Sequence, residues 1–347
     1  MNPLAKTIPL PFFLRHLKIP ALLVLGVFLV AVVLIAASIV AVSIPLKDIL
    51  SGSLTDQQEA VLASIRLPRV LLAVIVGGAL AVSGAAMQGL FRNPLADPGL
   101  IGIATSAALA VAFVIVLAGP ITGYLGLYAL SIAAFIGALL ACFVIFRFAR
   151  LTGSFSVTYM LLTGIAINAL SAAGVGYLTF LSDDQQLRTL TFWTMGSLGG
   201  ALWVAVIVVT TIAVPSGLIL IRNARELNVL LLGENEARYL GVDAERLKRT
   251  IVICTALCVG AAISVSGVIG FVGLVVPHLV RLTLGPDHRL LIPASALLGA
   301  ALLVVADTAA RTIVAPAEMP VGILTSLIGG PFFLWLLIKQ YAGRFSL

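Results

Sequence analysis

Charged side chains are scarce in this sequence. Only 10% of its 347 residues are Asp, Glu, Lys or Arg, and 61% are hydrophobic, whereas soluble domains carry about 25% charged residues. A chain this apolar cannot cover a water-facing surface with polar groups, so a soluble fold is excluded and lipid is its solvent. The ~10-residue alternating segments of a membrane β-barrel are also missing. The composition therefore predicts an all-α polytopic membrane protein.

Cysteine is almost absent as well. The chain has three, Cys142, Cys254 and Cys258, and each lies within an apolar run. Thiols in such surroundings are usually packing residues, which argues against a disulfide framework and against a metal site. The sequence therefore predicts no metal ligands.

The sequence also lacks the motifs of an energy source. It has no GxxxxGK[ST] phosphate-binding loop and no catalytic constellation, so we expect a non-catalytic subunit that needs no cofactor. No Asp, Glu or Lys falls firmly inside a predicted span, and Asp307 lies only near the outer end of one. Because proton-coupled carriers usually bury a titratable group on their path, the energy is expected to come from another molecule.

Apolar runs of about 20 residues mark membrane spans. Ten are predicted, at 21–43, 69–89, 99–118, 125–147, 156–180, 200–221, 250–268, 272–284, 290–310 and 322–340. The apolar stretch Ile251–Leu284 would be about 51 Å long as one helix, which is too long for a single crossing of a ~30 Å core. Gly267, Gly270 and Gly273 divide it into two passes.

Ten crossings place both termini in the cytoplasm. With that orientation 16 of the 21 Lys and Arg residues are cytoplasmic, as the positive-inside rule requires. The five outward cations are Lys47, Arg66, Arg69, Arg188 and Arg311.

A weak internal repeat joins the second and seventh spans. Residues 77–84 read GGALAVSG and residues 260–267 read GAAISVSG, each after an Arg-Leu-x-Arg. An odd number of crossings separates the two copies, so they run in opposite directions. This is typical of two inverted-topology halves, here spans 2–5 and 7–10, around a substrate path.

Charge is concentrated in one insert, Arg222–Arg249, which holds 11 charged residues in 28 positions. Gly233 and Gly241 bound a short helical segment within it, and a second short helix precedes Gly233. Two amphipathic helices joined by a glycine are suited to docking in a partner's cleft, and an ordinary charged loop is the alternative. Three further cations are interpreted as the positive-inside anchor of the seventh span: Arg246, Lys248 and Arg249.

The motifs are similar to those of the permease subunits of ABC importers for iron–siderophores, haem and cobalamin, the FecCD type, and most like the haem permeases. The segments that carry this resemblance are LLLGENEARYLGV, RLPR at 66–69, GAAMQGLFRNPLADPGLIGI at 84–103, GFVGLVVPHLVRLTLGPDHR at 270–289 and PAEMPVGILTSLIGGPFFLWLL at 316–337. They run in order over nearly the whole chain. The resemblance implies one transmembrane permease domain, 1–347, with a cytoplasmic coupling-helix segment at 222–249.

The resemblance also implies partners and a place in the cell. Such permeases pair with a second copy around a central path in the bacterial inner membrane, as type II importers. Two ATPase subunits lie on the cytoplasmic side, a periplasmic binding protein delivers cargo, and nucleic acid has no part. The region Gly233–Gly241 corresponds to the coupling helices, and Gly233, Glu234 and Arg238 are the implied ATPase contacts.

On the outer face, family members use arginines to hold carboxylates of the binding protein. The matching positions are Arg66, Arg69 and Arg311, where guanidinium groups suit bidentate pairing with carboxylates. Anchoring of the helix ends in the membrane interface is the alternative.

The inner gate of the family lies at the start of the fifth span, which corresponds to Ser156, Val157 and Thr158. His278 belongs to the family's PHxxR pattern. A strong ligand near the exit would trap a metal-loaded cargo, so structure or gating is the preferred interpretation of His278.

The cargo is the least determined property. The outer loop Ser182–Thr194 and the nearby PAEMPVG resemble haem-type members, so haem is favoured over an iron–siderophore and over cobalamin. Arg188 would then stand at the pore mouth and pair with propionates, although a solvated loop cation is an equally plain interpretation. Two other classes stay open, an ion-coupled secondary carrier and a membrane scaffold.

Overall fold

The helices begin and end close to the predicted spans. The computed structural model describes residues 18–39, 54–119, 123–150 and 155–345, and every regular element among them is helical. In chain order the α-helices are α1 (Lys18–Ser38), α2 (Asp56–Val61), α3 (Leu67–Leu90), α4 (Ile103–Leu117), α5 (Gly123–Ala149), α6 (Val157–Leu181), α7 (Asp184–Thr194), α8 (Trp203–Arg222), α9 (Ala224–Leu230), α10 (Glu234–Tyr239), α11 (Ala244–Ser266), α12 (Val272–Leu284), α13 (His288–Thr312) and α14 (Val321–Phe345). A π-helical turn, Leu62–Arg66, joins α2 to α3, and a 3₁₀ turn, Pro98–Ile101, precedes α4.

Seven helical stretches of the described chain are long and apolar enough to cross a membrane, and three shorter apolar helices accompany them. The seven are α1, α2 with α3, α5, α6, α8, α11 and α13, and the three are α4, α12 and α14. Each of the ten predicted spans therefore has a helix at its position. The outward Lys47 and the last residues of the first predicted span, 40–43, lie outside the described residues.

The core is built from α3, α11 and α13, which are the most buried of the long helices. Small residues bring α3 close to its neighbours. A methyl group on Gly299 would lie 2.6 Å from the carbonyl oxygen of Gly77, and one on Gly84 would collide with the backbone of Gly273. Close backbone approach of this kind replaces the hydrophobic driving force that lipid cannot supply.

The break inside Ile251–Leu284 occurs where the glycines predict it. Helix α11 ends at Ser266, Gly267 follows with a φ of 65°, and α12 begins at Val272. A left-handed φ favours glycine because a Cβ would crowd the following carbonyl. The apolar stretch therefore folds as two separate helices.

Helix packing follows the proposed repeat. Within the first half α4 packs on α5 and α6, and α5 packs on α6; within the second half α12 packs on α13 and α14, and α13 packs on α14. Between the halves α3 packs on α12 and α13, while α11 packs on α4 and α5. Each of these helix pairs thus has a counterpart in the other half, five spans further along the chain.

Two sequence-based interpretations need correction. The predicted outer loop Ser182–Thr194 is helical from Asp184 onward, as α7, because Asp183 and Gln186 cap its first turn reciprocally and Leu190 is buried on α4. Asp307, predicted near the outer end of the ninth span, and Lys248, predicted just before the seventh, both lie within long helices and are buried. Both are stabilised there by partners distant in the sequence.

Candidate functional site

The charged insert folds as two short helices, α9 and α10, joined by Leu231–Gly233. Gly233 has a φ of 142°, and Gly241 ends the second helix with a φ of 81°. Both values are costly for a residue with a side chain. The two glycines therefore fix the direction of α10, as the sequence predicts.

The exposed end of the insert, which we call its tip, consists of Leu232, Arg238 and Tyr239 and is largely apolar. Leu227, Leu230 and Ala237 are buried against the core, whereas Leu232 and Tyr239 are exposed by 66% and 91%. Arg238 is exposed beside them. An exposed aromatic and leucine with an adjacent arginine have the composition of a protein interface.

Helix α9 is tied to the beginning of α13. The Asn228 side-chain amide donates to Asp287 Oδ1 at 2.8 Å, and its oxygen accepts from the backbone N–H of His288 at 3.0 Å. The same oxygen lies 2.8 Å from His288 Nδ1. The insert is thereby held at the N-terminal end of a core helix.

Helix α10 is tied to the beginning of α6 through Lys248, which sequence reasoning interpreted as a membrane anchor. Lys248 is only 4% exposed. Its Nζ donates to Glu234 Oε2 at 2.7 Å and to the Phe155 carbonyl at 2.8 Å. The anchor interpretation of Lys248 is therefore wrong, because a buried and bonded ammonium does not face lipid headgroups. Arg246, two residues earlier, is exposed.

The predicted gate residues lie next to this tie. Ser156 is the N-cap of α6, and its hydroxyl accepts from the Tyr159 N–H at 3.5 Å. Val157 lines a cavity of about 580 Å³ together with Leu90, Glu234 and Lys248. Thr158 is exposed. The structure thus brings Glu234 and Val157 to one cavity, while Arg238 points away from it into the surroundings.

At the other end of α13 the predicted docking arginines are buried rather than free. Arg69 pairs with Asp307 at 3.0 Å and with Glu318 at 2.9 Å. Asp307 is 1% exposed and also pairs with Arg311 at 3.1 Å. Arg66 donates to the Ala37 carbonyl at 2.8 Å. The carboxylates that hold Arg69 come from this chain itself.

Glu318 is the accessible member of this cluster, since half of its side chain is exposed. Arg311 Nη2 is buried and has no hydrogen-bond partner. A carboxylate of a docking protein would therefore meet Glu318 first, and would have to replace it to reach Arg69. Sequence reasoning found the arginines but not their internal carboxylates.

The insert and the arginine cluster lie far apart. His288 and Arg311 mark the two ends of α13, and 23 residues of helix span about 35 Å. This exceeds the ~30 Å hydrocarbon core of a bilayer. A helix of this length therefore separates the two sites by the thickness of a membrane.

Arg188 and His278, the histidine of the PHxxR pattern, belong to neither site. Arg188 is exposed on α7. His278 is buried, its ring stands edge-on to Phe332 at 6.2 Å, and neither of its nitrogens has a hydrogen-bond partner. Arg281, from the same pattern, donates to Gln88 at 2.9 Å and so connects α12 to α3. A packing role suits His278.

Apolar helices around a three-helix core, with an exposed helix pair at one end and buried arginines at the other, define a polytopic helical membrane protein. The FecCD transport family matches residues 28–339. The chain belongs to that family, and it is an ABC transporter permease of the inner, cytoplasmic membrane.

Individual relatives agree with this assignment. The chain is 53% identical over 304 residues to the hemin transport system permease protein HmuU of Yersinia pestis, covering 88% of this chain and 91% of the relative. It is 43% identical over 288 residues to the cobalamin import system permease protein BtuC of Halobacterium salinarum, covering 83% and 76%. A solved inward-facing structure, described as that of a "putative metal-chelate type ABC transporter", superposes with a TM-score of 0.82 at 32% identity, covering 92% of this chain and 98% of that one.

Proposed function

We propose that this chain is the membrane subunit of an ATP-driven importer that moves haem from the periplasm to the cytoplasm. The observation that carries the proposal is the α9–α10 insert. It is exposed at its tip and bonded at its base to the beginnings of α6 and α13. A soluble ATPase that binds the tip would therefore act on the beginning of α6 while the insert stays held to the beginning of α13.

The proposal includes ten crossings with both termini in the cytoplasm and two inverted halves. The matching helix pairs of α3–α6 and α11–α14 support it, as does the excess of Lys and Arg on one side. The path would lie between two copies of the chain. Two ATPase subunits would bind the α9–α10 tips, and a periplasmic binding protein would dock over the arginine cluster.

Haem is favoured as cargo because of the similarity to a hemin permease over most of both chains. Arg188 on the exposed face of α7 offers a guanidinium to a propionate. Cobalamin is the second candidate, since a cobalamin permease is also among the relatives, and an iron–siderophore is the third. The cargo passes through, so we propose no resident cofactor and no catalytic role for this chain.

An ion-coupled carrier is disfavoured by the bonding of the buried charges. Asp307 is paired with two arginines, and Lys248 is bonded to a carboxylate and a carbonyl. Neither is a free titratable group of the kind that a proton carrier places on its path. ATP bound by a separate subunit is the proposed energy source.

The test is uptake by proteoliposomes that contain the chain, its cognate ATPase and its binding protein. Haem, cobalamin and an iron–siderophore are supplied in parallel, with and without ATP inside the vesicles. We expect ATP-dependent uptake that is greatest for haem. Uptake without the ATPase subunit, or uptake driven by a pH gradient alone, would contradict the proposed function, whereas ATP-driven uptake of another cargo would contradict only the choice of haem.

A further inference from the structure

A buried lysine is the polar connection between the coupling helix α10 and the start of α6. We infer that Lys248 is a positioning residue that transmits movement of α10 to the gate end of α6. This inference rests on the proposed function and adds to it the residue through which the ATPase contact reaches the path.

The bonding of Lys248 fits a link between two moving parts. Its two acceptors belong to different elements: Glu234 is the first residue of α10, and Phe155 directly precedes the N-cap Ser156. Phe155 is itself buried and packs on Phe146 of α5 with ring centroids 5.4 Å apart. A pull on the carbonyl of Phe155 therefore acts on the first turn of α6.

Other contacts between α10 and α6 are few. Among the described residues α10 packs mainly on α9 and α11, and the cavity of about 580 Å³ lies between α10 and the beginning of α6. Lys248 spans the wall of this cavity. Because a buried ammonium is costly without acceptors, the structure favours keeping both of its bonds as α10 moves.

The second tie of the insert has a different destination. Asn228 connects α9 to the N-terminal end of α13 and does not reach α6. The core packing of α13 on α3 makes that end an anchor. Asn228 therefore holds the insert to a fixed helix, α13, whereas Lys248 transmits movement of α10 to α6.

The experiment measures haem uptake and ATP hydrolysis in the same proteoliposomes of the full complex. Lys248→Met removes both bonds and keeps the length of the side chain. We expect ATP hydrolysis to continue while the haem transported per ATP falls about fivefold or more. Lys248→Arg keeps a donor for both acceptors and should recover most of that ratio. Arg246→Met, which removes an exposed cation of the same helix, should leave it unchanged.

Two outcomes would overturn the inference. One is a Lys248→Met complex that transports as much haem per ATP as the wild type. The other is a Lys248→Met complex in which ATP hydrolysis and uptake fall equally, so that the haem transported per ATP is unchanged, which would mean a static structural role. Glu234→Leu removes only the bond to α10 and keeps the buried bond to Phe155, so it tests the tie even if Lys248→Met fails to assemble. The haem transported per ATP should fall in this variant, and an unchanged ratio in a complex that still hydrolyses ATP would contradict the inference. A wild-type complex without ATP-dependent uptake would instead contradict the proposed function itself.

Discussion

At the scale of single residues, Glu318 decides how accessible Arg69 is to a docking protein. The buried guanidinium already has two carboxylate partners, and only Glu318 is exposed enough to leave. A partially exposed pair of this kind contributes little net stability. Docking would therefore exchange one carboxylate for another, rather than neutralise a free cation.

Replacing Glu318 should consequently strengthen docking. We expect Glu318→Gln to raise the affinity for a cargo-loaded binding protein about twofold to fivefold, because Arg69 then keeps only one of its two carboxylate partners, Asp307. The gain should shrink as ionic strength rises, since the new pair is near solvent. Surface plasmon resonance over a salt series measures both effects.

The matched control is Glu59→Gln, which removes an equally charged, exposed carboxylate from α2. It should change affinity far less than Glu318→Gln. Equal changes in the two variants would show that only net charge matters, and weaker binding in Glu318→Gln would remove the exchange mechanism.

At the scale of elements, the direction of α10 depends on Gly233. Its φ of 142° is costly for alanine, and an added methyl group would also meet the carboxylate of Glu236. We expect Gly233→Ala to cost about 1–3 kcal/mol locally and to weaken ATPase binding by tilting α10. Co-purification of the ATPase with the detergent-solubilised chain measures this.

Gly217→Ala is the control for that variant. Gly217 lies in α8 with open space around its added methyl group and an ordinary helical φ. It should leave ATPase binding unchanged. Retention of full ATPase binding by Gly233→Ala would show that α10 tolerates reorientation.

The ends of helices could be read from the sequence, but the bonds between them could not. Gly233, Gly241 and Gly267 mark three ends because left-handed backbone favours glycine wherever it occurs. The pairing of Arg69 with Asp307 joins residues 238 positions apart, and that of Lys248 with Phe155 joins residues 93 apart. Such pairings depend on how the helices pack, which hydropathy does not encode.

At the scale of the whole molecule, α6 exposes an apolar face in a single copy. Leu162, Leu170 and Tyr177 are 57%, 72% and 64% exposed along it. We expect a second copy to pack near this face, so single cysteines at these positions should form covalent dimers under mild oxidation. The native Cys142, Cys254 and Cys258 are buried and should not form such dimers.

Val27→Cys on α1 is the control, because Val27 is 70% exposed but lies on a different helix. Non-reducing electrophoresis of membranes should show dimers for at least one α6 variant and none for Val27→Cys. Monomers throughout, with the cysteines shown to be reactive, would contradict an α6 interface.

The close contacts of α3 have a consequence for how the molecule can change shape. The backbone of α3 lies against that of α13 where Gly77 meets Gly299, and against that of α12 where Gly84 meets Gly273. Helix α3 therefore cannot slide past either neighbour without a collision. Interdigitated cores of this density shift as units rather than deform. Helices α3, α12 and α13 should thus move as one rigid unit. Alternating access would then come from movement of the less buried helices relative to that unit.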